Sequence, residues 1–464
     1  MSSLRPAEDD LVRALRSLEA RSTYAEVMAE ATDGHALRHD ATSTTPEPSP
    51  RLEGAVFRAW SGVSWVEAGV SGLSQRALDG AAADLLARLP ATPSSTPPPG
   101  DSVTERGERT TVEKRPITEL SLERRLEWAR TMFGYATAIP GIANCIVNLA
   151  HHVDERLFLS TAGAHRSQRI TRVRATVVPL AIENGKVEYD FLSVGEMGGA
   201  EVLDRISEAD VQHSAKEALA LLAAHDAPTG RMTVLLDPST AGTFAHESFG
   251  HGTEADQMLR DRSYLKPVLG QVVGPECLTL VDDGSYPSGW GSIFYDDEGH
   301  ESRRNVLVDK GRFVGALHDR ESAAAMHTTA GGNTRRSDFL SRPFVRMTNT
   351  FVEPGDWTLD ELVKEAKEGV LMQSCSSGME DPLGGNMQLK VKKARRIHQG
   401  EVGEMLPSLA LSGSVLAFLR SIKGVGRKDQ FEMSPGYCGK GHTDYIPAGT
   451  GGTHLLAEAI VGPA

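Results

Sequence analysis

The chain has 464 residues, 40% of them hydrophobic, enough to bury the cores of two or three domains. Its 49 Lys and Arg stand against 62 Asp and Glu, and the net charge of −13 argues against an affinity built on neutralising phosphates, so no nucleic-acid partner is expected. Four scattered cysteines without a CxxC pair, and an opening MSSLRPAEDDLVRAL without the apolar core of a signal peptide, point to a reducing, cytoplasmic compartment.

In chain order, TSTTPEPSP at residues 42–50 reads as a connection between two elements, residues 54–70 carry a strand-like pattern, and RALDGAAADLLARL at 76–89 reads as a helix. Residues 92–116 are rich in proline and small polar residues, a composition that reads as a linker or exposed loop. Ser121 is placed to cap a helix on which Leu122, Leu126, Ala129 and Phe133 share a face. Short alternating stretches at 155–160 and 172–178 lead to a second helix marked by Val211, Ala215, Ala218 and Leu222. From Arg231 onward strands dominate: 232–237, then, past Pro238, Ser239 and Thr240 and a helix, 277–281, 304–308, 311–317, 345–352 and 387–397. The longest nearly apolar run, 406–419, falls short of the roughly 18 residues that cross a bilayer, so no membrane partner is expected. The expected fold class is α+β. Its regions are an amino-terminal α+β unit (1–91), the linker (92–116), a central α+β unit (117–228) and a β-rich carboxyl-terminal domain (229–464).

The most informative segment is AHESFGHGTEADQ, where His246, Glu247 and His251 form an H-E-x-x-x-H array after a predicted strand. Two neutral imidazoles can hold a metal while the adjacent glutamate acts as base toward water at that metal, the arrangement of a zinc hydrolase. Histidines five apart stand about 140° out of register on a regular α-helix, so an ordinary helix would not chelate. One π-bulge restores the alignment, and Gly250 and Gly252 make it cheap.

Two histidines leave a third protein ligand to be found. Cys438 sits in the glycine-rich MSPGYCGKGH, His442 follows it by four, and loop-borne Cys375 in QSCSSG is a further candidate. Cys277 and Cys145 lie in apolar runs and read as small hydrophobes.

HESFGHGTEAD (246–256), DDEG (296–299), NVLVDKGRFVGALHDR (305–320), GGNTRR (331–336), RMTNTFVEPGD (346–356) and SPGYCGKGHTDYIPAGTGGTHLL near the carboxyl end occur in the order found in the TldD/PmbA family of zinc metallopeptidases, which the chain resembles in its metal-bearing TldD branch. The resemblance implies one Zn2+ per chain, bound by His246, His251 and Cys438, with Glu247 as catalytic base, and assigns no ligand role to His442. It further implies action on short or unstructured peptides in the cytoplasm, inside a homodimer or a heterodimer with a metal-free TldE/PmbA-like subunit. Family members also process peptide natural products, so a dedicated precursor or aminoacyl conjugate is an alternative substrate; a non-catalytic, zinc-bearing partner subunit is another reading.

Among other polar residues, Tyr264, Tyr295, His300 and Arg303 are expected to be structural or surface groups, and Arg335 and Arg336 to lie in a solvated loop. Glu254 and Asp256 could orient ligand imidazoles. His151 and His152, adjacent on a strand, would face opposite sides and could not share an ion.

Overall fold

The computed structural model describes residues 3–440 and 444–464. Its first half is built on one eight-stranded sheet. β1 (Ala25–His39), β2 (Thr44–Trp60) and β3 (Trp65–Ser71) form an antiparallel meander, and β1 then pairs along its length with β5 (Ile142–Ser160), from Glu26 opposite Ser160 to His39 opposite Val147. β6 (His165–Glu183) follows, with β4 (Arg106–Thr110) parallel to one end of it and β7 (Lys186–Tyr189) and β8 (Leu192–Met197) antiparallel along the rest.

The regions before and after the proline-rich segment therefore share a sheet. Residues 92–116 are not a plain tether, because Arg106–Thr110 is a strand of it. TSTTPEPSP is not a connection either: it opens β2, where Pro46 lies opposite Leu37. Only residues 54–60 of β2 pair with β3. The proline-bearing half is thus an edge on that side, where a missing N–H costs no ladder bond.

β5 and β6 have 19 residues each, roughly 60 Å of extended chain. That length carries two separate helix layers. Near one end α1 (Glu8–Ser17) and α2 (Gln75–Arg88) bury Leu11, Leu15, Leu78 and Leu85 against Val27, Phe57 and Leu159. Toward the other, α3 (Leu122–Thr137), capped by the Ser121 side chain, and α4 (Glu208–Leu222) pack Ala129, Met132 and Val211 with Val147, Val173 and Val177.

The second half is β-rich, as its sequence texture predicts, and the whole is α+β. β9 (Gly230–Leu236) lies between strands Gly369–Glu380 and Leu455–Pro463; the latter is followed by Leu409–Ser414 and Asn386–His398, which pairs back onto Gly369–Glu380 and closes the sheet on itself. A six-stranded sheet ends in the hairpin of Glu432–Lys440 and Asp444–Gly452 and meets strand Asn349–Val352 in parallel. Of the strands expected at 277–281 and 311–317, only Leu280–Asp283 and Arg312–Phe313 form, and Cys277 is exposed ahead of its strand. Among the described residues no helix is long and apolar enough to cross a membrane.

Candidate metal centre

β9 runs into a helical segment through a capped start: the Asp237 carboxylate accepts the amide of Thr240 at 2.8 Å, and Pro238 occupies the first helical turn of α5 (Pro238–Thr243). The segment continues as a π-helix over Phe244–Gly250, in which the amide of His251 donates to the carbonyl of His246. That i to i+5 bond inserts the residue required by five-spaced ligands. Phe244, Ala245 and Phe249 are buried in the core on one side, while the wide turn brings the two imidazoles to a ring separation of 5.4 Å. Gly250 is tightly confined: a Cβ there would fall 2.1 Å from the sulfur of Met347.

The third group comes from nearly 200 residues away. Cys438, on strand Glu432–Lys440 opposite Ile446, places its sulfur 3.5 Å from His251 Nε2. One ligating atom from each of His246, His251 and Cys438 lies within 4.8 Å of the others. Two imidazoles and a thiolate so placed fit a single zinc-type ion, whose ligand bonds are about 2.0–2.3 Å long. Glu247 Oε2 is 3.8 Å from His251 Nε2, its Oε1 is 4.0 Å from His246 Nε2, and its side chain is 28% exposed to an adjoining groove.

Charge favours the ligating state of the cysteine. Burial raises the Cys438 thiol, but His251 and His246 beside it more than offset this and hold it well below its usual value. Burial lowers both histidines; proximity to Cys438, then to Glu247 for His246 and Glu254 for His251, raises them above theirs. The outward nitrogens are also engaged. His251 Nδ1 stands 3.5 Å from Glu254, and His246 Nδ1 stands 3.4 Å from Thr350 Oγ1, whose hydroxyl donates to the buried Asp282. Such contacts fix ring tautomers and leave Nε2 free to ligate.

Glu254 is itself bound by Lys440 at 2.9 Å; burial raises its carboxyl, and Lys440 and His251 outweigh that and bring it to about 2. Asp256, the other candidate for orienting a ligand, pairs instead with Lys440. Thr350, Asp282, Lys440 and the buried Arg346, which donates to the carbonyl of Cys438 from the link between Phe344–Val345 and Asn349–Val352, meet the histidines from segments far away in sequence, so no local spacing ties them to the metal array. Glu380, pushed up to about 8 by burial against the opposing pull of His251, also faces this charge cluster.

The remaining sequence candidates fall elsewhere. Cys375 lies on strand Gly369–Glu380, in the groove but outside the ligand cluster, with its sulfur on the carbonyls of Ser377 and Lys390. His442 lies outside the described residues. Tyr264 braces the π-helix by donating to the carbonyl of Ser248, Tyr295 is buried beneath Arg166, His300 leans on Asp296, and Arg303 is exposed and bonds Thr329. His151 and His152 part across β5: the first stacks near His35, the second against Trp290. Cys145 is a buried core residue. Arg335 and Arg336 are not in a solvated loop; they are 5% and 3% exposed, because strand Thr334–Arg335 pairs with Phe344–Val345 and draws them between the two halves of the molecule.

The groove has a volume of about 630 Å³ and two unlike walls. Arg174, Tyr189 and Ser193 of the first sheet form one; Ser374–Gly378 and the strand bearing Cys438 form the other. Gly378 lets its strand approach the π-helical segment, since a Cβ there would fall 2.8 Å from that of Glu247.

Residues 229–460 match the PmbA/TldA metallopeptidase C-terminal domain, and residues 115–225 match the central domain of the same family. A metalloprotease of Methanocaldococcus jannaschii is 37% identical over 66% of this chain and 67% of its own length. A zinc metalloprotease TldD homologue of Saccharolobus solfataricus is 30% identical over 50% of this chain and 51% of its own. The fold is shared with solved structures: a Thermotoga maritima protein described as a proposed modulator of DNA gyrase (TM-score 0.80, 18% identity, 99% of this chain and 100% of that one) and TldE of Thermococcus kodakarensis (0.75, 16%, 98% and 100%).

Proposed function

Since this chain belongs to the PmbA/TldD family of metallopeptidases, we propose that it hydrolyses short or unstructured peptides at one zinc ion held by His246, His251 and Cys438, with Glu247 moving the proton. The observation that carries this reading is the convergence of the three ligating atoms within 4.8 Å, with the Glu247 carboxylate beside both imidazoles and open to the groove. When bound, zinc supplies Lewis acidity to a peptide carbonyl and acidifies water.

His246 and His251 bind as neutral rings oriented by Thr350 and Glu254, and Cys438 binds as thiolate, so the donor set leaves a net charge of +1 on the site. Glu247 accepts the proton of the attacking water and delivers it to the departing amide nitrogen. The strand bearing Cys438 ends its sheet and lines the groove from Glu432 to Tyr437, so an extended peptide can add along that edge through main-chain hydrogen bonds. Recognition of this kind tolerates varied side chains. The reading includes a cytoplasmic dimer, either of two copies or with a homologous metal-free subunit, to be tested by the mass of the purified assembly.

The test is mass spectrometry of an unstructured peptide mixture incubated with the zinc-loaded chain and with Glu247→Gln. Cleavage by the wild type and none by the variant, at equal zinc content, is expected; equal cleavage by both would overturn the role of Glu247. Ser374–Gly378 reaches the groove beside Glu247, which favours a second reading in which one dedicated precursor is the substrate. Generic peptides would then stay intact while that precursor gives a single product.

A further inference from the structure

A second cavity, of about 170 Å³, lies between the first sheet and the catalytic half, and Tyr437 lines both it and the groove. Four arginines reach its wall. Three are matched by acids: Arg156 by Asp297 at 2.6 Å and Glu30 at 2.8 Å, Arg172 by Asp154 at 3.0 Å, and Arg336 by Glu67 at 2.7 Å.

Arg335 is the exception. Its Nη1 donates to the main-chain carbonyls of Met347 and Pro447, and among the described residues neither its Nε nor its Nη2 finds an acceptor. The nearby acid Asp297 is already committed to Arg156 and to the amide of Arg336. A guanidinium buried without a counter-ion is costly unless something else supplies the charge. Burial, then the neighbouring Arg172, Arg156 and Arg346, lower Arg335 to about 9, and burial raises Glu30 to about 7, which weakens the negative side of the wall. One positive charge therefore faces the cavity uncompensated.

We infer that this cavity is an anion site in which the free edge of Arg335 binds a small carboxylate or oxyanion. Guanidinium geometry suits both, and the volume exceeds the roughly 150 Å³ that holds a benzene-sized guest. The anion has two possible sources: a free solute, or the carboxylate of a peptide entering past Tyr437.

The experiment is thermal melting of the full zinc-loaded chain in a zwitterionic buffer, titrated with sodium acetate or inorganic phosphate against matched sodium chloride. A saturable rise of about 2 °C or more beyond chloride is expected for the wild type and not for Arg335→Met. The variant retains all three metal ligands, so a rise caused by anions at the metal would persist in it and overturn the inference, as would the absence of any saturable rise in the wild type. Arg335→Gln, which keeps donors for the two carbonyls, gives the same reading if Arg335→Met fails to fold. In Glu247→Gln, competition with acetate by a peptide with a free carboxyl terminus, and not by its amide, assigns the site to substrate; no competition by either assigns it to a solute.

Discussion

Each imidazole of the proposed metal centre rests on a contact of its own, and the two contacts are unequal in charge. His251 is oriented by a carboxylate already held by Lys440, whereas His246 is oriented by a hydroxyl backed by Asp282. Replacing Glu254 by Gln keeps the shape and removes the charge, and should weaken zinc binding about 10–100-fold, read by competition with a chromogenic chelator. Cys438→Ser should weaken it further, and full zinc occupancy in that variant would remove Cys438 from the ligand set. A pH-dependent effect at the same scale arises at His318, which burial and then Arg303 lower to about 4. Between its unfolded value near 6.5 and about 4 the unfolded chain takes up a proton that the folded chain refuses, so stability is lost as the pH falls through that window. The stability difference between wild type and His318→Gln should therefore shift against the wild type from pH 7 to pH 4. A constant difference in urea melts would show that His318 titrates normally in the fold.

At the scale of elements, the α5 and π-helical segment is held by close backbone approach. A Cβ on Gly242 would stand 2.6 Å from the amide nitrogen of Gly451 and 2.8 Å from the carbonyl carbon of Thr450, atoms of the hairpin that carries Cys438. Backbone cannot rotate away as a side-chain tip can, so Gly242→Ala should cost about 1–3 kcal/mol and loosen zinc by separating the two ligand-bearing elements. Denaturant unfolding together with zinc titration checks both effects. The π-turn itself was legible in the sequence, because five-spaced histidines flanked by glycine admit few chelating backbones. The length of β5 and β6 was not: the HHVDER stretch shows no clean alternation, since these strands are covered by helices on one face and by the catalytic half on the other, where buried charges replace apolar residues. For the same reason Arg335 and Arg336 read as surface residues. Arginine at a buried interface between two halves carries no pattern that separates it from arginine in water.

Across the whole molecule, the proposed ligands and base all come from the second half, while the first sheet supplies one wall of the groove. The joint between them includes a small buried charge network. Glu298 accepts from Arg58 at 2.7 Å, from the amide of Arg320 at 2.9 Å and from Thr334 at 3.0 Å, and both arginines also reach Glu26 on β1. The two arginines outweigh the burial that would raise Glu298 and keep it ionised far below the usual carboxylate range. Removing that charge leaves Arg320 with Glu26 alone and Arg58 with Glu26 and a Glu67 carboxylate, 3.3 Å away, that also serves Arg336, and breaking such a network costs about 3–5 kcal/mol. Glu298→Gln should accordingly destabilise the fold by that order. Its effect on catalysis should be lopsided: KM should rise as the Arg174 and Tyr189 wall shifts, while kcat, set by residues on the other side of the joint, should change little. A collapse of kcat at constant KM would show instead that the first sheet helps to hold the metal centre itself.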